Sequence, residues 1–345
     1  MVSPSIDHLP FMLDGVNASL AIEQRFPLSR VLTHRGDSAR AEAARWAADS
    51  KRVELNVEYE AAAAFFMLQE RRGLAAVLVE QRALAGQMVR SATARYASGT
   101  GAQADVLRAE MELARLEALA RAATADVRGA EAMLNAALAR PATAPVPPLV
   151  ADPLTAAPAE VEEAIRAAID ARPELKTGRA EIERAEAETR AMRSMYLPMA
   201  TVRTGPAYTM TEKFGWMLMV GVSIPLWRGR LNAGVSEAES MATMAREDVS
   251  AMQRMIEGEA AKAREDVVSA QERYLAFRDR VVPKAKQTVD ATLAGYVSGQ
   301  LPLVSVVEAA QALWMAQGDQ IMAEAELGLA WARLGRALGA SGAGR

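Results

Sequence analysis

Arg95-Tyr96-Ala97-Ser98-Gly99 and Gly295-Tyr296-Val297-Ser298-Gly299 are one short run written twice, 200 residues apart. The match extends outward at the same offset. Val106-Leu107-Arg108-Ala109 returns as Val306-Val307-Glu308-Ala309, and Leu113, Ala123, Ala130, Leu134, Ala137 and Leu138 fall on Leu313, Ala323, Ala330, Leu334, Ala337 and Leu338. Upstream, Phe26-Pro27-Leu28 falls on Ile224-Pro225-Leu226 with the offset slipped by two. Ordered self-similarity of this kind marks a chain built from one unit used twice.

Each unit reads as strand, long helix, Tyr-x-x-Gly turn and return helix. Ser19 to Phe26 alternates, with Leu20, Ile22 and Phe26 on one face and Ser19, Glu23 and Arg25 on the other, as a half-buried strand does. Trp216 to Ile224 alternates too, placing Trp216, Leu218, Val220, Val222 and Ile224 together. No proline interrupts the helical pattern from Ser38 to Arg95, a helix of about 85 Å at the standard rise. The second long helix, Asn232 to Gly295, carries Pro283, which removes a backbone donor and predicts a kink. Equal helices after each strand predict that Tyr96 and Tyr296 lie together, at the end away from the strands.

After the first turn, Leu113, Leu116, Ala120, Ala123, Val127, Ala130, Leu134 and Ala137 step by threes and fours, the spacing of a coiled-coil seam. Leu313, Ala316, Gln320, Ala323, Leu327, Ala330, Leu334 and Ala337 keep that register. Seam residues this small let helix axes approach closely and favour lateral packing of many helices. The repeat sets the boundaries: a first unit over 1–140, a proline-rich extended connector over 141–158 and a second unit over 159–345. The second unit opens with a short helix from Ala159 to Ala171 and another from Pro173 to Tyr196. A strand from Thr201 to Met210 then pairs with Trp216 to Ile224 across a loop at Thr211 to Gly215.

Composition excludes several function classes. The 345 residues suffice for about two domains. Forty basic residues against 43 acidic ones, a net charge of -3, give no basic field for nucleic acid. With no cysteine there is no disulfide, thiolate metal site or thiol nucleophile. His8 and His34 are the only histidines, too few for a multi-histidine metal centre or a relay of imidazole bases. No clustered nucleophile, base or metal set marks an enzyme, and no cofactor or metal site is read from the residues. Trp216 to Trp227, the longest apolar stretch, is too short for a spanning helix. Met1 to Gly15 lacks the basic leader and apolar run of a signal peptide.

The duplicated unit resembles the TolC-like outer membrane efflux proteins. The resemblance rests on Tyr196-Leu197-Pro198, Val222-Ser223-Ile224-Pro225-Leu226, Val282-Pro283 ahead of Tyr296-x-x-Gly299, and Val306-Val307-Glu308-Ala309, in that order. It implies a mainly helical fold with a few strands: coiled-coil hairpins forming a periplasmic α-barrel, and strands forming a transmembrane β-barrel, trimeric when complete. It also implies a homotrimer in outer-membrane lipid, working with a periplasmic adaptor (membrane fusion) protein and an inner-membrane transporter. Against that pattern, Met1 to Asn17 is too short to hold the first helix and strand that precede the family's first repeat. The expectation is therefore a chain lacking its leader, first helix and first strand, in which closure of a barrel is in question.

Carried onto this sequence, the resemblance assigns the tip and adaptor-docking residues Tyr96, Gly99, Val106, Leu107, Tyr296, Gly299, Val306 and Val307. It assigns a gate to Asp105, Ser305 and Glu308, three copies of Glu308 converging on a duct axis. Each assignment has a plainer counterpart: a simple turn for the tips, and a solvated helix-face carboxylate for Glu308. Gly99-Thr100-Gly101-Ala102-Gln103-Ala104 superficially matches a dinucleotide loop, but a helix precedes it and Leu301 replaces the second glycine in the other copy. Tyr196, Tyr208, Trp216 and Trp227 near strand ends suit a membrane-interface belt, or core packing. Of 18 methionines, ten lie between Met192 and Met255, where helical pairs such as Met241 and Met244 suit flexible packing, or contact with Cu(I) or Ag(I). His34 reads as a lone surface residue. The reading is a passive outer-membrane duct exporting small molecules or metal ions, and the alternative is a soluble helical coiled-coil scaffold or degenerate fragment.

Overall fold

Prolines and left-handed glycines set where the elements of this chain stop. A computed structural model describes residues 18–150, 158–209 and 213–340. In chain order the elements are β1 (Ala18–Ser19), β2 (Ile22–Pro27), α1 (Val31–Ala97), α2 (Gln103–Ala137), α3 (Val161–Ala171), α4 (Pro173–Ser194), β3 (Met199–Thr209) and β4 (Lys213–Ser223). Then come α5 (Arg228–Ala276), a π-helical turn at Phe277–Val281, α6 (Val282–Val297) and α7 (Leu303–Leu338). Met1–Asn17, Met210 and part of the connector lie outside the described residues, so the expectations placed on them do too. The chain divides into two compact units, one of Met1–Ser50 with Pro173–Gln253, the other of Lys51–Arg172 with Arg254–Arg345.

In the first of these, β3 is the central strand of an antiparallel sheet, with β1 and β2 on one side and β4 on the other. The expected first strand is broken between Ser19 and Ile22, yet its register does not slip: Ser19 faces Ala207 and Ile22 faces Thr204. The break lies opposite Pro206, which has no N–H to give. Leu20 still donates to the Pro206 carbonyl at 3.0 Å, and the return bond cannot form. β4 starts at Lys213, earlier than the expected Trp216. α4 ends at Ser194, before Tyr196, through a short series of tight turns that leads to Pro198. α4 and α5 pack through alanines, among them Ala185, Ala191, Ala238, Ala242 and Ala245, all buried. Ion pairs Arg246–Glu186 and Arg193–Glu239, both 2.6 Å, lie across the same pair of helices.

In the second, the seam is visible as a heptad: Ala109, Leu116, Ala123 and Ala130 of α2 are buried. α7 buries Leu313, Ala316, Ala323, Leu327, Ala330, Leu334 and Ala337, the equivalent register. At Gly328 an added Cβ would sit 2.1 Å from the Phe66 ring, so only glycine lets α7 approach α1 there. Arg172, buried between α3 and α4, donates to the Ala337 carbonyl and to Glu259, tying down the end of α7. The described part of the connector, up to Val150, is pinned: Arg72 donates to the carbonyls of Val146 and Pro147, and Asn135 to those of Ala142 and Ala144. Val146 and Leu149 pack on Leu68, Ala130 and Leu134.

Two further expectations change. Pro283 does not leave a simple kink; the turn before it widens to π geometry and α6 follows directly, the local adjustment that accommodates a missing donor. His34 is not a lone surface residue, because its imidazole is half-buried and Nδ1 lies 3.6 Å from Asp37.

Candidate functional site: the paired tips and the apolar sheet face

The two Tyr-x-x-Gly turns have one backbone. Gly99 N–H donates to the Tyr96 carbonyl and Gly299 N–H to the Tyr296 carbonyl, each at 3.0 Å. Thr100 and Gln300 donate to the carbonyls of Arg95 and Gly295 at 2.9 and 2.8 Å. The glycines have φ of 71° and 80°. These are the paired bonds of a Schellman ending, in which a left-handed glycine lets two otherwise orphaned helix carbonyls be satisfied. Ser98 and Ser298 add hydroxyl bonds to Arg95 and Gly295. Ala102 and Pro302 then open α2 and α7 with the same extended backbone.

The side chains differ. Tyr96 is 49% exposed and Tyr296 only 1%. Tyr296 belongs to a core with Ala85, Met88, Ala92, Leu303, Val306 and Trp314. Over its ring, 4.8 Å from the centroid, lies the Arg95 guanidinium, which also donates through Nη1 to the Tyr296 carbonyl and through Nη2 to the Thr100 carbonyl. The two turns are therefore side by side. Burial pushes the Tyr296 phenol above its ordinary range, Asp105 adds to the rise and Arg95 opposes it. Farther along, the buried Glu112 carboxylate is held by Arg115, whose guanidinium it raises through that hydrogen bond and which lies 5.9 Å from the Trp314 ring.

The sheet in the other unit has two unlike faces. Cross-strand partners put Ile22, Gln24, Phe26, Val202, Thr204, Pro206 and Tyr208 with Phe214, Trp216, Leu218, Val220 and Val222. The opposite face carries Glu23, Arg25, Thr201 and Arg203 with Met217, Met219, Gly221 and Ser223. The β4 side chains of the apolar face are exposed, Trp216 at 73%. Among the described residues no helix is long and apolar enough to cross a membrane.

Residues 164–340 match the outer membrane efflux protein family. The chain belongs to that family. It is 25% identical over 279 residues to the outer membrane efflux protein BepC of Brucella suis biovar 1, a match spanning 79% of this chain and 60% of BepC. The chain thus spans less than two thirds of that relative's length. Its fold is similar to that of CusC, with a TM-score of 0.84 at 14% identity over 94% of this chain and 77% of CusC. It is similar also to VceC of Vibrio cholerae, with a TM-score of 0.79 at 17% identity over 94% of this chain and 79% of VceC.

In this outer membrane efflux protein, the residues expected at the tips fall into two groups. Tyr296 and Val306 are buried, with Val106 and Val307 packed against the same core, so they shape the tips from within. Tyr96 and Leu107 are exposed, and Gly99 and Gly299 make the turns. Asp105 and Ser305 are half-buried at equivalent positions, while Glu308 is exposed on α7. Trp216 and Trp227 are exposed, Tyr208 meets the Phe214 ring edge-on at 5.6 Å, and the half-buried Tyr196 donates its hydroxyl to Asn232. Arg95 was missed by sequence reasoning. Its signal was the mismatch inside the repeat: Arg95 and Gly101 in one copy stand against Gly295 and Leu301 in the other.

Proposed function

We propose that this chain is a wall of a passive, non-enzymatic outer-membrane duct, with its sheet in lipid as part of a transmembrane β-barrel. Its helical hairpins then form part of a periplasmic α-barrel. The observation that carries this reading is the sheet's apolar face: an unbroken set of exposed large apolar side chains on β4, while the other face sets Glu23, Arg25, Thr201 and Arg203 beside Met217 and Met219. Lipid on one side and a water-filled lumen on the other require this alternation. A soluble scaffold has no use for so large an exposed apolar patch.

In this reading the repeat units are 1–140 and 159–345 joined by 141–158, and the complete assembly is a homotrimer. Tyr196, Tyr208, Trp216 and Trp227 sit at the lipid interfaces. The tips, through Tyr96, Gly99, Leu107 and Gly299 on a base of Val106, Tyr296, Val306 and Val307, meet a periplasmic adaptor that links the duct to an inner-membrane transporter. Asp105, Ser305 and Glu308 line the narrow end, and the exported molecules are small solutes or metal ions.

Three Glu308 carboxylates around one axis would create a strong local potential for multivalent cations. The test is single-channel conductance of the purified protein in a planar bilayer, titrated with a trivalent cation. Expected are discrete conductance steps, blocked by the cation in the parent and markedly less in Glu308→Gln, with Glu117→Gln behaving as the parent. Absence of any conductance counts against the duct, and equal block in parent and Glu308→Gln removes Glu308 from the gate.

A further inference from the structure

We propose that Arg95 is a clasp that makes the two helix tips of one chain move as a single body. This rests on the reading that the tips form the working end of the duct, and it specifies how that end is regulated. Arg95 lies in the last turn of α1, within the first tip, but its guanidinium is spent on the second. One nitrogen donates to the Tyr296 carbonyl, the other to the Thr100 carbonyl of its own turn, and the plane covers the Tyr296 ring at 4.8 Å. A planar, permanently charged fork presents two donors at a fixed spacing while its plane covers the ring, a geometry that the compact ammonium of lysine lacks.

The clasp is one-sided. Gly295, the equivalent of Arg95, has no side chain to return, and an added Cβ there would meet Leu301 at 2.7 Å. At the first tip the sizes are reversed: an added Cβ at Gly101 would meet Arg95 Cβ at 2.9 Å. Each turn thus has room for one large side chain at this pair of positions, and only the first uses it to reach its neighbour. A Cβ at Gly299 would lie 3.6 Å from the Arg95 guanidinium, so the glycine that makes the second turn also lies against the clasp.

The Tyr296 hydroxyl is not what holds the tips together, because it is buried without a hydrogen-bond partner. The polar part of the hold runs through the ring face and the main-chain carbonyl, on top of the apolar core that Tyr296 shares with Ala85, Met88 and Ala92 of α1. Separating the tips would strip a charge-assisted hydrogen bond and a cation–π contact from a buried tyrosine at the same moment. Arg95 is therefore a positioning residue. Any adaptor that shifts one tip shifts both, unless it first takes the guanidinium away.

Because the chain has no cysteine, the protein can be labelled at chosen pairs. Spin labels at Ala97→Cys and Val297→Cys, equivalent exposed positions at the ends of α1 and α6, report the separation of the tips by pulsed electron paramagnetic resonance in detergent. The parent should give one narrow distance distribution. Arg95→Ala should broaden it at least twofold, Arg95→Gln should broaden it with helix content unchanged, Arg95→Lys should fall between, and Tyr296→Phe should match the parent. A distribution as narrow in Arg95→Ala and Arg95→Gln as in the parent overturns the clasp, as does broadening by Tyr296→Phe equal to that of Arg95→Ala. The distance needs no conducting channel, so it stands apart from the duct reading. If Arg95→Ala broadens the distribution while conductance and cation block stay at parental values, the clasp holds and the gate reading fails.

Discussion

The two tips share every backbone hydrogen bond of the turn, and they bury their tyrosines to opposite extents. Tyr96 is half in solvent and Tyr296 is among the most buried large side chains. The comparison teaches that the Tyr-x-x-Gly pattern contains two separate instructions. Glycine at φ of 71° or 80° ends the helix, and either copy would turn with another residue in place of tyrosine. The tyrosine is read by its surroundings: Tyr296 has Ala85, Met88, Ala92 and Trp314 in the same core and an arginine from the other copy over its ring.

The largest break in the comparison should come from deleting both rings in turn. Tyr296→Ala should cost about 3–5 kcal/mol, as removal of a buried aromatic does, and Tyr96→Ala should stay within about 1 kcal/mol. Denaturant unfolding of the detergent-solubilised chain compares them, and equal losses would mean that the burial difference has no energetic weight. Next, Gly99→Ala and Gly299→Ala should each lose about 1–2 kcal/mol, the cost of a side chain in the left-handed region. Melting temperatures shifted equally would separate the shared backbone instruction from the unshared side-chain one.

A smaller effect sharpens the size reversal. Gly101→Ala places a methyl group against the Arg95 Cβ and backbone and should destabilise by about 1 kcal/mol or more. Gly295→Ala meets only the flexible Leu301 side chain and gains helix propensity of about 1 kcal/mol, so its melting temperature should barely move. The smallest effect is in pH. Tyr296 has its phenol raised above 10.0, so the unfolded chain ionises first as pH rises. Its contribution is therefore complete below pH 10.0 and declines above it, and Tyr296→Phe should remove that part of the alkaline slope in a pH series of unfolding curves.

Much of this architecture was legible in the residues because the repeat preserves the positions that pack. The seam from Leu113 to Ala137 and its copy are buried or half-buried throughout, and the alternation from Trp216 to Val222 places those side chains on one face. Three things were not legible. The break at Leu20 depends on Pro206 in a strand far along the chain, and the π turn depends on how a helix absorbs Pro283. The third is the role of Arg95, which belongs to no motif and acts across the repeat, where matching like with like hides it. The connector was legible as an extended segment, while the side chains that pin its described part, Arg72 and Asn135, lie on helices at positions that also suit a solvated face.

Lipid contact along β4 tests the account most directly. Single cysteines introduced into the cysteine-free chain at Trp216, Leu218, Val220 and Val222, and at Met217, Met219 and Gly221, would be challenged in intact outer membranes with a water-soluble maleimide. The account predicts reactivity with a period of two: the first set protected by lipid, the second labelled from the lumen. Uniform labelling of both sets, or recovery of the protein in the soluble fraction, would contradict it.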